Sequence, residues 1–269
     1  MIQLVICDLD GTLIGKDEIL PKPIISLAAK LRDSGILFTI ATGRVETMAH
    51  TYVNDLGIDI PYILTNGATI VDKGETLQRY QIPLGPLKPI VEMARSIGLS
   101  LVYTIEGTEF VVESTPWIEG QQNTFNRYHS IRDFKDSDWD TLLLDKLMIM
   151  DDVRDGRISQ VEDACSGLSE FFSVTRYSDK AIELVQAKVS KGESLKTILS
   201  ILGINAESVL AIGDHQNDIE MLQVAGVGVA VANAIEPVKQ IADYVCTLPA
   251  YEGVLEAVDK YCFSQGSNR

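Results

Sequence analysis

Short apolar segments alternate with amphipathic ones at both ends of this 269-residue chain, and this alternation constrains the fold most. The segment Leu4–Cys7 is typical of a fully buried strand, and apolar residues at helical spacing over 24–31 follow it and end before Gly35. A second apolar strand over 36–41 and a helix over 45–56 come next, and then a third strand with a hairpin. Since strands separated by helices form parallel sheets, the sequence predicts an α/β domain.

The same alternation returns near the C-terminus, but the middle of the chain differs. A hairpin around Glu106-Gly107, further strands and a helix near Ile158–Cys165 predict an α+β domain there. The stretch "PLGPLKP" carries three prolines and a glycine, which is typical of a linker. We therefore predict a Rossmann-like parallel-sheet core formed by residues 1–83 and 187–269, with an inserted α+β domain over 84–186.

The composition argues against several classes of partner. A formal net charge of −15 repels nucleic acid and anionic membrane surfaces, and no basic patch offsets it. The longest apolar stretch, 224–232, is far shorter than the ~20 residues of a membrane span, and the N-terminus lacks the basic region of a signal peptide. Four scattered cysteines without metal-ligand spacing indicate reduced thiols. We expect a cytoplasmic protein that is a monomer or small homo-oligomer.

Polar side chains follow the predicted strands of the core. In an open parallel sheet, ligands bind beyond the carboxyl ends of the strands. Asp8 follows the first strand, with Asp10 just beyond it, and Thr42 follows the second. The remaining residues of this kind lie in the C-terminal segment, where they follow a strand or open a helix: Lys191, Asp214, Asn217 and Asp218. The sequence therefore predicts one site at this edge of the sheet.

The residue types at this edge indicate a cation beside a phosphoryl group. Four carboxylates cannot all stay ionised in a partly desolvated cleft without a compensating cation, and a set of oxygen ligands favours Mg²⁺. The hydroxyl, ammonium and amide groups of Thr42, Lys191 and Asn217 are donors suited to phosphate oxygens.

Each residue also has a purely structural interpretation. Asp8 and Asp10 suit a solvated turn, and Thr42, Asp214 and Asp218 suit loop or helix-cap positions. Lys191 suits a solvated helix start, and Asn66-Gly67 is also a good hairpin turn.

Four motifs occur in order along the chain. They are "DLDGT" at 8–12, "ATGR" at 41–44, "SKG" at 190–192 and "GDHQND" at 213–218, together with "TNGA", "DKLMI" and "NAIEPVKQIADYV". In these motifs and their spacing the chain resembles the haloacid dehalogenase-like hydrolases, most of all the Cof-type phosphatases with an α/β cap. The resemblance extends over nearly the whole chain.

This resemblance implies a role for each residue. Asp8 is the expected nucleophile, and Asp10 is the expected acid and base, with a pKa raised by the neighbouring carboxylates. The expected Mg²⁺ ligands are the Asp8 side chain, the Asp10 carbonyl and Asp214, with Asp218 bound directly or through water. Phosphate is expected to accept hydrogen bonds from backbone N–H groups after Asp8, beginning with Leu9. Further expected donors to the phosphate are Thr42, Gly43, Lys191 and Asn217. Arg44 and Asn66 are candidates to contact the substrate beyond the phosphate.

Two further features bear on substrate choice. An aromatic and basic cluster in the inserted domain is either part of its own core or a substrate contact: Trp117, Phe125, Arg127, Tyr128 and His129. The chain also departs from the family pattern, since Ala232 replaces a usual glycine and Leu248-Pro249 a usual serine-asparagine pair.

The function expected from these observations is Mg²⁺-dependent hydrolysis of small phosphomonoesters, such as sugar phosphates, through an aspartyl-phosphate. A phosphomutase or phosphotransferase would use the same residues. A phospho-receiver module also combines an acidic cluster with Thr and Lys, but it needs neither Asp10 nor a hundred-residue insertion.

Overall fold

The computed structural model describes residues 1–125, 130–151, 153–177 and 179–264, with the backbone alone over 121–125. Within these ranges the strands and α-helices follow one another in the order β1 (Leu4–Cys7), α1 (Lys22–Asp33), β2 (Leu37–Ile40), α2 (Glu46–Leu56), β3 (Tyr62–Leu64), β4 (Thr69–Asp72), β5 (Glu75–Arg79), β6 (Ile82–Pro83), α3 (Lys88–Ser96), β7 (Ser100–Ile105), β8 (Thr108–Val111), α4 (Pro116–Phe125), β9 (Ser130–Ile131), α5 (Asp138–Thr141), β10 (Leu143–Leu144), β11 (Lys146–Met150), α6 (Ile158–Cys165), β12 (Phe172–Tyr177), β13 (Ala181–Gln186), α7 (Lys191–Leu202), β14 (Val209–Gly213), α8 (Ile219–Val224), β15 (Val227–Ala230), α9 (Glu236–Ile241), β16 (Tyr244–Val245) and α10 (Ala250–Val258).

The chain divides into two compact units. The first, the core unit, comprises Met1–Gln78 and Ser190–Arg269, and the second, the inserted unit, comprises Arg79–Val189. Both divisions lie a few residues from the boundaries expected from the sequence.

A five-stranded parallel sheet in the order β16-β15-β14-β1-β2 forms the centre of the core unit. Every residue of β1 and β14 is buried because helices cover both faces of the sheet. Val5 and Cys7 pack with α1, α2 and α10, whereas Leu4 and Ile6 point to the other face and pack with α7, α8 and α9. These runs are therefore uniformly apolar rather than alternating.

Strand β1 lies between β14 and β2, so the carboxyl ends of three strands meet. The strand order reverses at β1, because the chain leads from it to β2 on one side and reaches β14 on the other only after the insertion. Such a switch point leaves a crevice at the carboxyl edge of a parallel sheet. The fold therefore gathers the residues that follow these three strands.

The inserted unit is built on a six-stranded sheet in the order β12-β13-β11-β7-β8-β9. Neighbouring strands are antiparallel except for the β8 and β9 pair. Helices α3 and α6 pack on one face, against residues such as Tyr103 and Leu147. On the other face Ile118 and Trp117 of α4 pack against Val102. The predicted α/β class, with a parallel core and an inserted α+β unit, is confirmed.

Several local predictions are confirmed, and one is wrong. Helix α6 has the predicted bounds, and left-handed residues at Glu106-Gly107 form the predicted hairpin turn. Left-handed residues at Lys73-Gly74 connect β4 and β5 in the hairpin that was expected after the third strand. The stretch "PLGPLKP" is not a linker, because Leu84 and Leu87 are fully buried in the core of the inserted unit. Pro86 and Pro89 lie where a 3₁₀ turn and then α3 begin, positions that tolerate a missing N–H, whereas Pro83 ends β6.

Three further expectations from the sequence concern the cysteines, membrane-spanning helices and the aromatic and basic cluster of the inserted unit. Cys7, Cys165 and Cys246 are buried, Cys262 is half-buried, and all four are free thiols. Among the described residues no helix combines the length and the apolar character needed to cross a membrane. Of the aromatic and basic cluster, Trp117 packs within the inserted unit, whereas Arg127, Tyr128, His129 and the side chain of Phe125 lie outside the described residues.

Candidate active site

Asp8 stands at the centre of the carboxyl edge. Its backbone N–H donates to the carbonyl of Ile212 at 2.9 Å, which extends the pairing of β1 with β14 by one residue. Its side chain is buried, with the residue only 4% exposed. A carboxylate in such a position needs compensating charge.

Lys191 supplies part of this charge. It is the first residue of α7, which begins at the N-cap Ser190, and it is completely buried. Its Nζ donates to Asp8 Oδ1 at 2.5 Å and to Asp218 Oδ1 at 2.7 Å. Burial acts to lower the pKa of Lys191, but the Asp218 and Asp8 carboxylates raise it above its usual range. Lys191 is therefore an ammonium ion that joins two carboxylates.

Asp218 uses both of its oxygens within the protein. Oδ1 accepts from Lys191, and Oδ2 accepts from the backbone N–H groups of Asp214 and His215 at 2.9 and 3.0 Å. A side chain at Gly213 would place its Cβ 2.6 Å from Asp218, so only glycine fits there. The loop after β14 is thus fixed around the Asp218 carboxylate.

Three carboxylates in this group can hold a metal ion. One oxygen each from Asp8, Asp214 and Asp218 lie within 4.8 Å of one another. Burial, followed by the proximity of Asp218, raises the pKa of Asp214 to about 7, and burial raises the pKa of Asp8 although Lys191 opposes the rise. Three carboxylates facing one ammonium leave two negative charges in excess. A divalent cation with a preference for oxygen ligands fits this donor set.

Asp10 lies apart from these three carboxylates. Its side chain is 51% exposed, and its two oxygens accept hydrogen bonds from Arg44 Nε at 2.8 Å and Arg44 Nη2 at 2.6 Å. Arg44 Nη2 also lies 3.3 Å from Glu18 Oε1, and the guanidinium stacks over the Tyr52 ring at 5.2 Å. The immediate neighbour of Asp10 is therefore an arginine. The expected protonation of Asp10 stays a prediction.

The second and third strands contribute a polar turn beside Asp8. Thr42 is fully buried, its Oγ1 accepts from the N–H of Arg44 at 3.1 Å, and its carbonyl accepts from the N–H of Asn66 at 3.0 Å. Asn66 is buried in a left-handed conformation (φ 54°), and its Oδ1 accepts from Asn217 Nδ2 at 2.8 Å. A Cβ at Gly43 would lie 3.1 Å from Asn66.

For two of the expected phosphate ligands, the surroundings limit which atoms can contact the phosphate. The Leu9 side chain lies in the hydrophobic core, so only its backbone can face a ligand. The buried Asn217 Oδ1 has no hydrogen-bond partner among the described residues, whereas Nδ2 is used by Asn66. A buried amide oxygen without a partner is costly, and a bound donor would satisfy it.

Sequence reasoning missed two polar side chains in the core unit. Thr12 Oγ1 donates to Asp214 Oδ1 at 3.1 Å, a contact that was not expected from the sequence. Asn233 Nδ2 donates to the carbonyl of Gly11 at 2.9 Å. Both residues lie within stretches that carried the family resemblance, but neither contact is local in the chain.

Comparison with known proteins identifies this arrangement. A family model described as haloacid dehalogenase-like hydrolase matches residues 5–258, nearly the whole chain. The chain belongs to this family. The Cof-type resemblance seen in the motifs is thereby confirmed, and the haloacid dehalogenase-like fold accounts for the parallel sheet and the insertion.

Individual relatives of this haloacid dehalogenase-like hydrolase match end to end. A phosphoglycolate phosphatase from Methanopyrus kandleri is 30% identical over 254 residues, covering 94% of each protein. A 5-amino-6-(5-phospho-D-ribitylamino)uracil phosphatase from Bacillus subtilis is 26% identical, and the match covers 96% of this chain and 97% of the Bacillus subtilis protein. The crystal structure of a haloacid dehalogenase-like hydrolase from Bacteroides thetaiotaomicron is 29% identical with a TM-score of 0.81, covering 97% of this chain and 99% of that chain. The chain is a phosphatase of this family.

Proposed function

We propose that this enzyme is a Mg²⁺-dependent phosphomonoesterase that hydrolyses small phosphorylated metabolites through an aspartyl-phosphate on Asp8. The observation that carries the proposal is the buried ammonium of Lys191, which joins Asp8 and Asp218 beside Asp214. A nucleophilic carboxylate, a fixed cation and a divalent-ion site side by side are the groups that phosphoryl transfer requires.

The Asp8 and Asp214 side chains and the Asp10 carbonyl would hold Mg²⁺. Asp218 would act behind them, since Lys191 and two backbone N–H groups already use its oxygens. When bound, the ion neutralises charge on the phosphoryl oxygens. Thr12 holds one Asp214 oxygen and so orients that ligand.

Asp8 begins the reaction. Lys191 holds Oδ1, so Oδ2 attacks phosphorus, and the bond between phosphorus and the ester oxygen breaks as the new bond forms. The product is a mixed anhydride on Asp8 and an alkoxide. Lys191, Thr42 and the backbone N–H groups of Leu9 and Gly43 stabilise the charge that develops on the phosphoryl oxygens.

Asp10 moves the protons. It gives its proton to the alkoxide, and its conjugate base then takes a proton from the water that attacks phosphorus and releases inorganic phosphate and free Asp8. Both Asp10 oxygens accept hydrogen bonds from Arg44, which fixes the position of the carboxyl group. Arg44 thus orients the acid, and Asn66 orients Asn217 next to the phosphate.

Small phosphorylated metabolites are the proposed substrates because the aligned phosphatases are named for such compounds. A net charge of −15 also disfavours polyanionic macromolecules. The inserted unit would act as the cap that selects among these metabolites.

The test is release of inorganic phosphate from a panel of phosphomonoesters, with Mg²⁺ or with EDTA. Asp8→Asn is expected to abolish release, and the matched control Asp33→Asn, an exposed carboxylate at the end of α1, to retain it. Acid-quenched wild-type protein should carry one phosphoryl group at Asp8. Absence of turnover on the whole panel, or transfer to an added sugar in place of water, would refute hydrolysis. Turnover by Asp8→Asn would refute the nucleophile.

A further inference from the structure

Asn233 connects two loops of the core unit through its amide group. It lies between β15 and α9, with Nδ2 donating to the carbonyl of Gly11 at 2.9 Å and Oδ1 accepting from the N–H of Ala250 at 2.6 Å. One partner is only an acceptor and the other only a donor, so the amide has a single orientation that satisfies both. An aspartate at this position would keep the Ala250 bond and lose the Gly11 bond.

The Gly11 end of this bridge lies against a proposed metal ligand. Gly11 has a φ of +87°, and a Cβ there would lie 2.4 Å from Asp214 Oδ2. The next residue, Thr12, donates to the other Asp214 oxygen. The peptide between Gly11 and Thr12 therefore sets where the Asp214 carboxylate rests, and Asn233 holds the carbonyl of that peptide.

The Ala250 end lies in a segment that is itself tightly fixed. Glu256 of α10 accepts hydrogen bonds from the backbone N–H groups of Thr247 and Leu248, and the Ala232 N–H donates to the Leu248 carbonyl. Ala250 adopts a φ of 45°, an uncommon conformation for a residue with a Cβ. Leu248 and Pro249 carry no polar side-chain atom, so Asn233 supplies the side-chain link from this segment to the Gly11 turn.

We propose that Asn233 is a positioning residue that fixes the Gly11–Thr12 peptide, and through it Asp214, to the segment 247–250. The inference rests on the proposed phosphatase function for its kinetic part only. Loss of the Gly11 bond lets the turn move, so the productive arrangement of Asp214 and Asp8 is populated less often. The turnover number should fall more than KM changes, because the side chain contacts the turn and not the substrate.

The test compares Asn233→Ala, which loses both bonds, with Asn233→Asp, which keeps only the bond to Ala250. The matched control is Asn205→Asp, the same change at an exposed position in the loop after α7. Deuterium uptake of the segment 8–14 is measured in metal-free protein, with the α7 segment as a reference for global unfolding. kcat and KM are measured with saturating Mg²⁺.

Both Asn233 variants should show faster exchange over 8–14 with unchanged exchange in α7. A single hydrogen bond of this kind corresponds to about a two- to tenfold fall in kcat, with KM within about twofold. Wild-type exchange and kcat in Asn233→Asp would overturn the proposal, as would faster exchange with unchanged kcat. Absence of wild-type turnover would overturn the phosphatase function instead, and the exchange measurement would still decide whether the bridge fixes the turn.

Discussion

Replacement of Lys191 by methionine tests the central charge arrangement of the site. Methionine keeps most of the side-chain volume but removes the ammonium that donates to Asp8 and Asp218. Lys191 and Asp218 are fully buried, and the Asp8 side chain is only 6% exposed. Removal of one partner of a buried ion pair leaves an uncompensated charge and costs about 3–5 kcal/mol. We expect this loss in the free energy of unfolding of metal-free protein, measured by urea titration in EDTA.

Activity and metal binding should respond differently to the same change. Loss of one fixed donor to a developing phosphoryl charge lowers kcat by about 10²–10³-fold. The excess negative charge of the carboxylate group grows when Lys191 is removed, so Mg²⁺ should still bind, and it should restore part of the lost stability. Phosphate release and thermal unfolding with a Mg²⁺ titration measure the two effects.

Lys196→Met in the same helix is the matched control. Lys196 pairs with Glu193 at 2.6 Å, but both side chains are more than half exposed, so the change should alter stability by less than about 0.5 kcal/mol. If Lys191→Met in EDTA were as stable as Lys196→Met, the argument from buried charge would be wrong. Wild-type kcat in Lys191→Met would refute the role of the ammonium in phosphoryl transfer.

Three further predictions follow from glycine geometry, metal binding and the inserted unit. Gly11→Ala should weaken Mg²⁺ binding, because the added Cβ would displace Asp214. The control Gly35→Ala has a similar φ but open space around the Cβ, so it should change only thermal stability. Equal Mg²⁺ affinities of the two variants would contradict this prediction. Mg²⁺ at about 100 times its Kd should stabilise the wild type by about 2.7 kcal/mol in calorimetry, and Asp214→Asn should remove most of this gain, so an undiminished gain would exclude Asp214 as a ligand. Lys146→Met should destabilise the protein by about 3–5 kcal/mol with or without Mg²⁺, because Lys146 is buried with its Nζ 3.5 Å from Glu183. Urea unfolding measures this loss of stability, and a loss that depends on Mg²⁺ would contradict the prediction.

The fold was largely predictable because burial of a parallel sheet leaves a simple pattern in the sequence. Strands covered on both faces are short uniform apolar runs, as at Leu4–Cys7, and a polar residue directly after such a run must lie at the sheet edge. The wrong linker interpretation at "PLGPLKP" has a physical reason, since prolines favour both linkers and the first turn of a helix. Burial of the two leucines between them distinguishes these cases, and that depends on tertiary packing.

Motif order in the sequence predicts the residues of the candidate site but not their pairings. Asp8, Lys191 and Asp214 follow from motif order, whereas the pairing of Arg44 with Asp10 and the contact of Thr12 with Asp214 depend on how separate loops approach each other. The latter two residues are 202 positions apart, and no local periodicity records such a distance. The contacts of Asn233 could not be predicted from the sequence for the same reason.

The position of β1 between β2 and β14 has a consequence for the order of synthesis and folding. Asp8 is synthesised before its ammonium partner, which lies 183 positions later in the chain. Until α7 and β14 have been made, one edge of β1 lacks its neighbour, and contacts of such long sequence separation form late and slowly. Chains truncated before residue 191 therefore lack the ammonium that pairs with the proposed nucleophile, and we expect such incomplete products to be inactive.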